Sequence, residues 1–114
     1  MTYKEINTMI AAIANEINCD YAYHHFEKPV TPPFLIFQYP DRNDEYGDNS
    51  NFNLVQPIDI IFCSDFADFA TENKIETALT AANAKTYRKL GPDYIESERM
   101  YQTTFETEVL LTRE

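Results

Sequence analysis

The chain opens on Thr2-Tyr3-Lys4-Glu5, the pattern of a capping box: a hydroxyl that accepts a free amide of the first turn and, three residues on, a carboxylate that reaches back to the cap. Ile6, Met9, Ile10, Ile13 and Ile17 follow at spacings of three and four, which predicts a helix with one apolar face running to about Asn18. Tyr21 to Phe26 alternates aromatic with small or polar residues, as a half-buried strand does. Pro29, Pro32 and Pro33 mark a connection, and Phe34-Leu35-Ile36-Phe37-Gln38-Tyr39 after them is apolar on both faces, which predicts a central strand ended by Pro40.

Asp41 to Asn51 has loop composition throughout, and about eleven residues is long against a usual connection of ~4–6. Phe52 to Cys63 predicts a long strand, with Pro57 marking a bulge or an edge position. Ser64, Asp65 and Asp68 all offer N-caps for a second helix bearing Phe69, Ile75, Ala78, Leu79 and Ala82 and ending near Asn83. Thr86 to Leu90 predicts a short strand before a Gly91-Pro92 turn. Tyr94 to Glu98 and Tyr101 to Thr112 then predict two antiparallel strands joined near Arg99, with Tyr101, Phe105, Val109 and Leu111 on one face.

The expected order is α-β-β-β-α-β-β, without repeat or linker, in a single domain over residues 1–114. Such an order suits an α+β two-layer sandwich, with two helices on one face of a mostly antiparallel four- to five-stranded sheet. The opposite face is left to solvent or to a neighbouring subunit.

Composition narrows the function. With 114 residues there is room for about one domain, and 44% apolar residues exceed what a disordered tail carries. Nine Lys and Arg stand against 19 Asp and Glu, a formal charge of -10, which argues against a protein that grips nucleic acid by its phosphates. Ten of the acids and only two bases, Lys28 and Arg42, fall in residues 20–72, so -8 of the charge sits in the middle of the chain. Lys4, Glu5, Asn7, Asn15 and Glu16 interrupt the N-terminal apolar segment, which also lacks the pattern of a signal peptide. A reducing compartment is therefore expected, and Cys19 and Cys63 read as two free thiols rather than a bridge.

Catalytic patterns are scarce. The two glycines, Gly47 and Gly91, stand alone, so no phosphate-cradling loop is present. The adjacent His24 and His25 point to opposite faces if they lie on a strand, which keeps them from sharing a site; one packed and one exposed histidine is the expectation, and a metal held with Asp20 and Glu27 the alternative. Glu96 with Glu98, and Glu106 with Glu108, pair along strand faces and read as a solvated or intersubunit surface set against Lys85, Arg88, Lys89 and Arg99. No catalytic, cofactor-binding or metal-ligating residue is assigned, and the chain reads as a non-enzyme.

Three stretches in order along nearly the whole chain resemble a family of small proteins from tailed bacteriophages and prophages. They are Tyr23-His24-His25-Phe26-Glu27 with Pro32-Pro33-Phe34-Leu35-Ile36-Phe37 and Tyr39-Pro40, then Phe52 to Asp65, then Tyr94-Ile95-Glu96-Ser97-Glu98-Arg99-Met100-Tyr101. The resemblance implies a tail-completion protein of the head-tail joining region, most of all a tail terminator. Such a protein is a subunit of a ring, usually hexameric, that caps the tail tube and meets the major tail protein below and the head-closure protein above. It implies no cofactor, no membrane and no specific DNA binding, DNA only passing through, and a place in the virion tail or neck after assembly in the host cytoplasm. A head-closure or adaptor protein is the near alternative, and an acidic mimic of DNA that inhibits a host nucleic-acid-binding protein the alternative of another class.

Within that reading two groups are candidates for interaction. Asp41, Asp44, Glu45 and Asp48, on the long acidic loop 41–51, are expected to face the lumen or the tail tube, where like charge repels DNA. Lys85, Arg88 and Lys89 are expected to meet the acidic middle of the next subunit in a heterologous contact.

Overall fold

The computed structural model describes residues 1–47, 50–82 and 86–112; Asp48, Lys85 and the expected helix end near Asn83 lie outside the described residues. The order is α1 (Tyr3–Glu16), β1 (Asp20–Tyr23), β2 (Phe34–Gln38), β3 (Glu45–Gly47), β4 (Ser50–Asn53), β5 (Val55–Ser64), α2 (Phe69–Ala81), β6 (Tyr87–Ile95) and β7 (Met100–Leu110). Two helices pack with a five-stranded sheet of order β1-β2-β5-β7-β6, antiparallel except for the β1–β2 pair, and β3–β4 forms a separate two-stranded sheet. The fold is thus α+β, as the periodicities indicate.

Helix α1 begins as its capping box dictates. The amide of Glu5 donates to Thr2 Oγ1 at 3.2 Å, and that of Thr2 donates to Glu5 Oε1 at 3.0 Å. Asp68 caps α2, accepting the Thr71 amide at 3.1 Å. The helices lay Ile6, Met9, Ile10, Ile13, Ile75 and Leu79 on Leu35, Phe37, Ile58, Ile60, Phe62 and Phe105, all buried in one cluster. Its sheet layer is built by register, with Leu35 opposite Phe62, Phe37 opposite Ile60, and Ile60 opposite Phe105. On the uncovered face a half-buried row, Ala22, Ile36, Ile61, Thr104 and Leu90, crosses all five strands.

Four local expectations change. Strand β1 stops at Tyr23 instead of Phe26, because His24 takes φ 67° and turns the chain. The segment 41–51 is not all loop: Glu45–Gly47 pairs with Ser50–Asn53 as a hairpin. Gly91-Pro92 is not a turn between strands, since β6 runs through it; the ladder steps from Leu90 opposite Thr104 to Asp93 opposite Gln102, one extra residue taken up as a bulge. The turn falls instead after Ile95, so Glu96 and Glu98 lie in it and do not pair along a strand. Pro57 sits in register with Glu108 without a bulge, at a level where β5 has passed the end of its pairing with β2.

Candidate functional site

The acidic segment is fastened at its root. The amide of Asn43 donates to the Val55 carbonyl at 3.0 Å, and the amide of Val55 donates back to Asp44 Oδ1 at 3.0 Å. Arg42 forms an ion pair with the same carboxylate, which holds its guanidinium above the ordinary arginine range. On the hairpin, Asn53 Nδ2 donates to Glu45 Oε1 at 3.1 Å. Glu45, Tyr46 and Gly47 are all exposed, Tyr46 by 74%. Asp41 and Glu45 stand outward while Asp44 is half-buried in the root, so the acids of this segment lie in two different environments.

The basic group divides in the same way. Arg88 is exposed on the edge strand β6, opposite Glu106 of β7. Lys89, its neighbour, points under α2, where its Nζ is 2.8 Å from Glu72 Oε1 and 3.7 Å from Glu76 Oε2. Thr103 Oγ1 donates to the other Glu72 oxygen at 2.9 Å, and the Tyr87 hydroxyl donates to Glu76 at 2.8 Å. The hydrogen bond to Glu72, with the charges of Glu72 and Glu76, holds the Lys89 ammonium above the usual lysine range against its partial burial. Lys89 therefore serves α2 within its own chain. Glu72 is only 1% exposed, and its signal in the sequence is its phase, since 72, 75 and 79 form one helical stripe with Ile75 and Leu79.

His24 and His25 are brought together, contrary to strand alternation. The His25 amide donates to the Tyr23 carbonyl at 2.7 Å, a γ-turn around His24, and the two Nδ1 atoms meet at 3.0 Å. Both are exposed, so neither is the packed histidine expected. Among the described residues no group of three or more His, Cys, Asp or Glu side chains is placed to hold a metal ion. Cys19 and Cys63 are free thiols, and burial is the first cause that pushes each up to about 11.

Two further surfaces stand out. An apolar groove of about 1010 Å³ runs between α1 and α2, with Met9, Ile13, Ala78 and Ala82 among its lining. Phe66 and Phe69, both more than half exposed, flank the cap of α2. No helix among the described residues is long and apolar enough to cross a membrane.

No protein-family model matches the chain, and no curated protein matches it in sequence. In structure it is similar to a chain from the virion of a native gene transfer agent particle, with a TM-score of 0.59 and 16% identity over 92% of this chain and 91% of that one. That likeness spans both layers of the fold.

Proposed function

We propose that this protein is a structural subunit of a phage-like virion, acting at the end of the tail as a terminator: copies assemble in a ring that caps the tail tube and presents a docking surface to the head connector. The observation that carries this reading is the fold shared, nearly end to end, with a chain of a gene transfer agent virion. The resemblance of residues 23–40, 52–65 and 94–101 to phage tail-completion proteins supports it independently.

The surface suits assembly better than chemistry. Its exposed features are a hairpin, aromatic side chains and charged strand edges, which are the materials of protein contacts. Net negative charge repeated around a ring gives a bore that repels DNA and lets it pass without holding it.

The test is to add purified protein to tails that lack a terminator and to image them by electron microscopy. Tubes capped at fixed length are expected. Tubes that continue to grow or stay bare in its presence reject the terminator role, and binding to head connectors without binding to tubes makes it a head-closure protein.

A further inference from the structure

The hairpin β3–β4 lacks the usual support of a two-stranded sheet. It pairs with no strand of the main sheet, its β3 residues are all exposed, and a lone hairpin is marginally stable in water. The molecule is also extended for its length, 50 × 28 × 24 Å with a radius of gyration of 15.0 Å, where a compact chain of this size has about 13 Å. An arm of this kind gains stability by lying against a second surface.

The main sheet offers one. Strand β6 is an edge, and its stretch Tyr87–Leu90 stays in unbroken register with β7 before the bulge at Gly91 and Pro92 blunts the rest. Four residues of free edge match the length of β4. Charge matches as well: with Asp44 paired to Arg42 and Lys89 to Glu72 inside the chain, the arm and its root present Asp41 and Glu45 outward, and the β6 stretch presents Arg88. The position matches too. The arm leaves the sheet at the level where Val55 lies opposite Leu110, and the β6 edge begins three residues along β7, where Tyr87 lies opposite Thr107. The arm springs from the β2–β5 side and the receiving edge lies on the far side, so one copy cannot use both on itself without spanning its own sheet, whereas successive copies can. Contact between two different surfaces is heterologous, the kind that closes a ring.

We infer that the β3–β4 hairpin of one copy adds to the β6 edge of the next at Tyr87–Leu90, by strand addition, with Tyr46 as its aromatic anchor and Arg88 facing the arm's acids. This rests on the ring-subunit reading above and replaces a bore-facing loop with a clasp between neighbours. Main-chain hydrogen bonds supply the attachment and the charges supply the direction of approach.

Hydrogen exchange and sedimentation of the full chain test it, over a range of concentrations and at low and high salt. Amides of residues 87–90 and of the hairpin are expected to gain protection together as assembly proceeds. Arg88→Glu and Tyr46→Ala are each expected to weaken self-association about tenfold or more with unchanged melting temperature, and Glu45→Arg combined with Arg88→Glu to recover part of the loss. Assembly without protection at 87–90 overturns the clasp and leaves the ring intact. Monomers throughout the range overturn it as well, while the tube-capping assay still judges the tail-end reading. Hairpin protection that comes only when tail tubes are added makes the tube its partner and overturns the contact between copies.

Discussion

Lys89 Nζ lies 2.8 Å from Oε1 of Glu72, so an acid in the apolar stripe of α2 is neutralised from the edge strand β6. The two ends of the pair are unequal: Glu72 is shielded from water, and the Lys89 side chain keeps 29% of its exposure. Lys89→Met leaves a buried carboxylate with Thr103 alone and is expected to cost about 3–5 kcal/mol. Glu72→Leu should cost less, because Lys89 retains solvent and Glu76. The double variant Glu72→Leu with Lys89→Met should approach wild-type stability, as buried pairs replaced by apolar groups often do. Urea midpoints of the three variants decide, and a Lys89→Met protein that unfolds with wild type shows the pair to carry no stability.

Gly91 occupies φ 96°, a left-handed conformation that L side chains resist. A Cβ there would lie 2.8 Å from the Gln102 carbonyl oxygen and 2.9 Å from the Asp93 amide nitrogen, both backbone atoms of the bulged ladder. Neither can move without disturbing the β6–β7 pairing. Gly91→Ala is expected to destabilise by more than about 1 kcal/mol, read as a lowered denaturant midpoint, and an unchanged midpoint would mean that the bulge relaxes freely.

The features legible in the sequence are those set by local chemistry. Thr2 and Glu5 announce the start of α1, the Ile6–Ile13 stripe announces its buried face, and Phe34 to Gln38 announces a central strand. What escaped depends on partners far along the chain. Gly91-Pro92 is a strong turn signal locally, yet β7 pairs on both sides of it and draws it into one strand. The pair β3–β4 is too short and polar to stand out from loop composition. His24 turns where alternation predicted a continuing strand, and that single φ reverses the relation of the two histidines. Glu72 looked like an ordinary acid of a helix start, because its partners Lys89 and Thr103 lie 17 and 31 residues away. The charge clusters on Asp41 to Glu45 and on Arg88 and Lys89 were visible as composition, but only the fold separates Asp44 and Lys89, held within the chain, from Glu45 and Arg88 on its surface.

Stability should fall on the alkaline side in a defined order. Cys19 and Cys63 are pushed up to about 11 by burial, Tyr39 to about 12 by burial and then by Tyr23 and Tyr3, and Lys89 is raised by Glu72. In each case the unfolded chain releases its proton at lower pH than the folded one, so it binds fewer protons in the interval and stability decreases as pH rises. The thiols act first, from about pH 9 towards 11, and Tyr39 and Lys89 follow above the ordinary tyrosine and lysine values. Urea titrations from pH 7 to 11 should show a falling midpoint above pH 9, and the combined Cys19→Ala and Cys63→Ala variant should show a shallower fall over the thiol interval. A midpoint level to pH 11 contradicts the assignment.

Gln56 ties three segments together while only 2% exposed. Its Nε2 donates to the carbonyls of Pro40 at 3.0 Å and Pro57 at 2.9 Å, and its Oε1 accepts the Tyr3 hydroxyl at 2.8 Å. The start of α1, the exit of β2 and the body of β5 thereby share one amide, next to the Tyr3–Tyr39 ring contact at 5.1 Å. Tyr3→Phe keeps the ring and removes one donor, and because Tyr3 is half-exposed, water can reach the site; about 1 kcal/mol is expected. Gln56→Leu removes the donor to two carbonyls as well as the acceptor of the Tyr3 hydroxyl and should cost more, roughly 1–3 kcal/mol. If the two variants acted on separate features their losses would add. Because they share the Tyr3–Gln56 bond, the double variant should lose less than the sum, and strict additivity of the two urea midpoints would show that the bond contributes nothing.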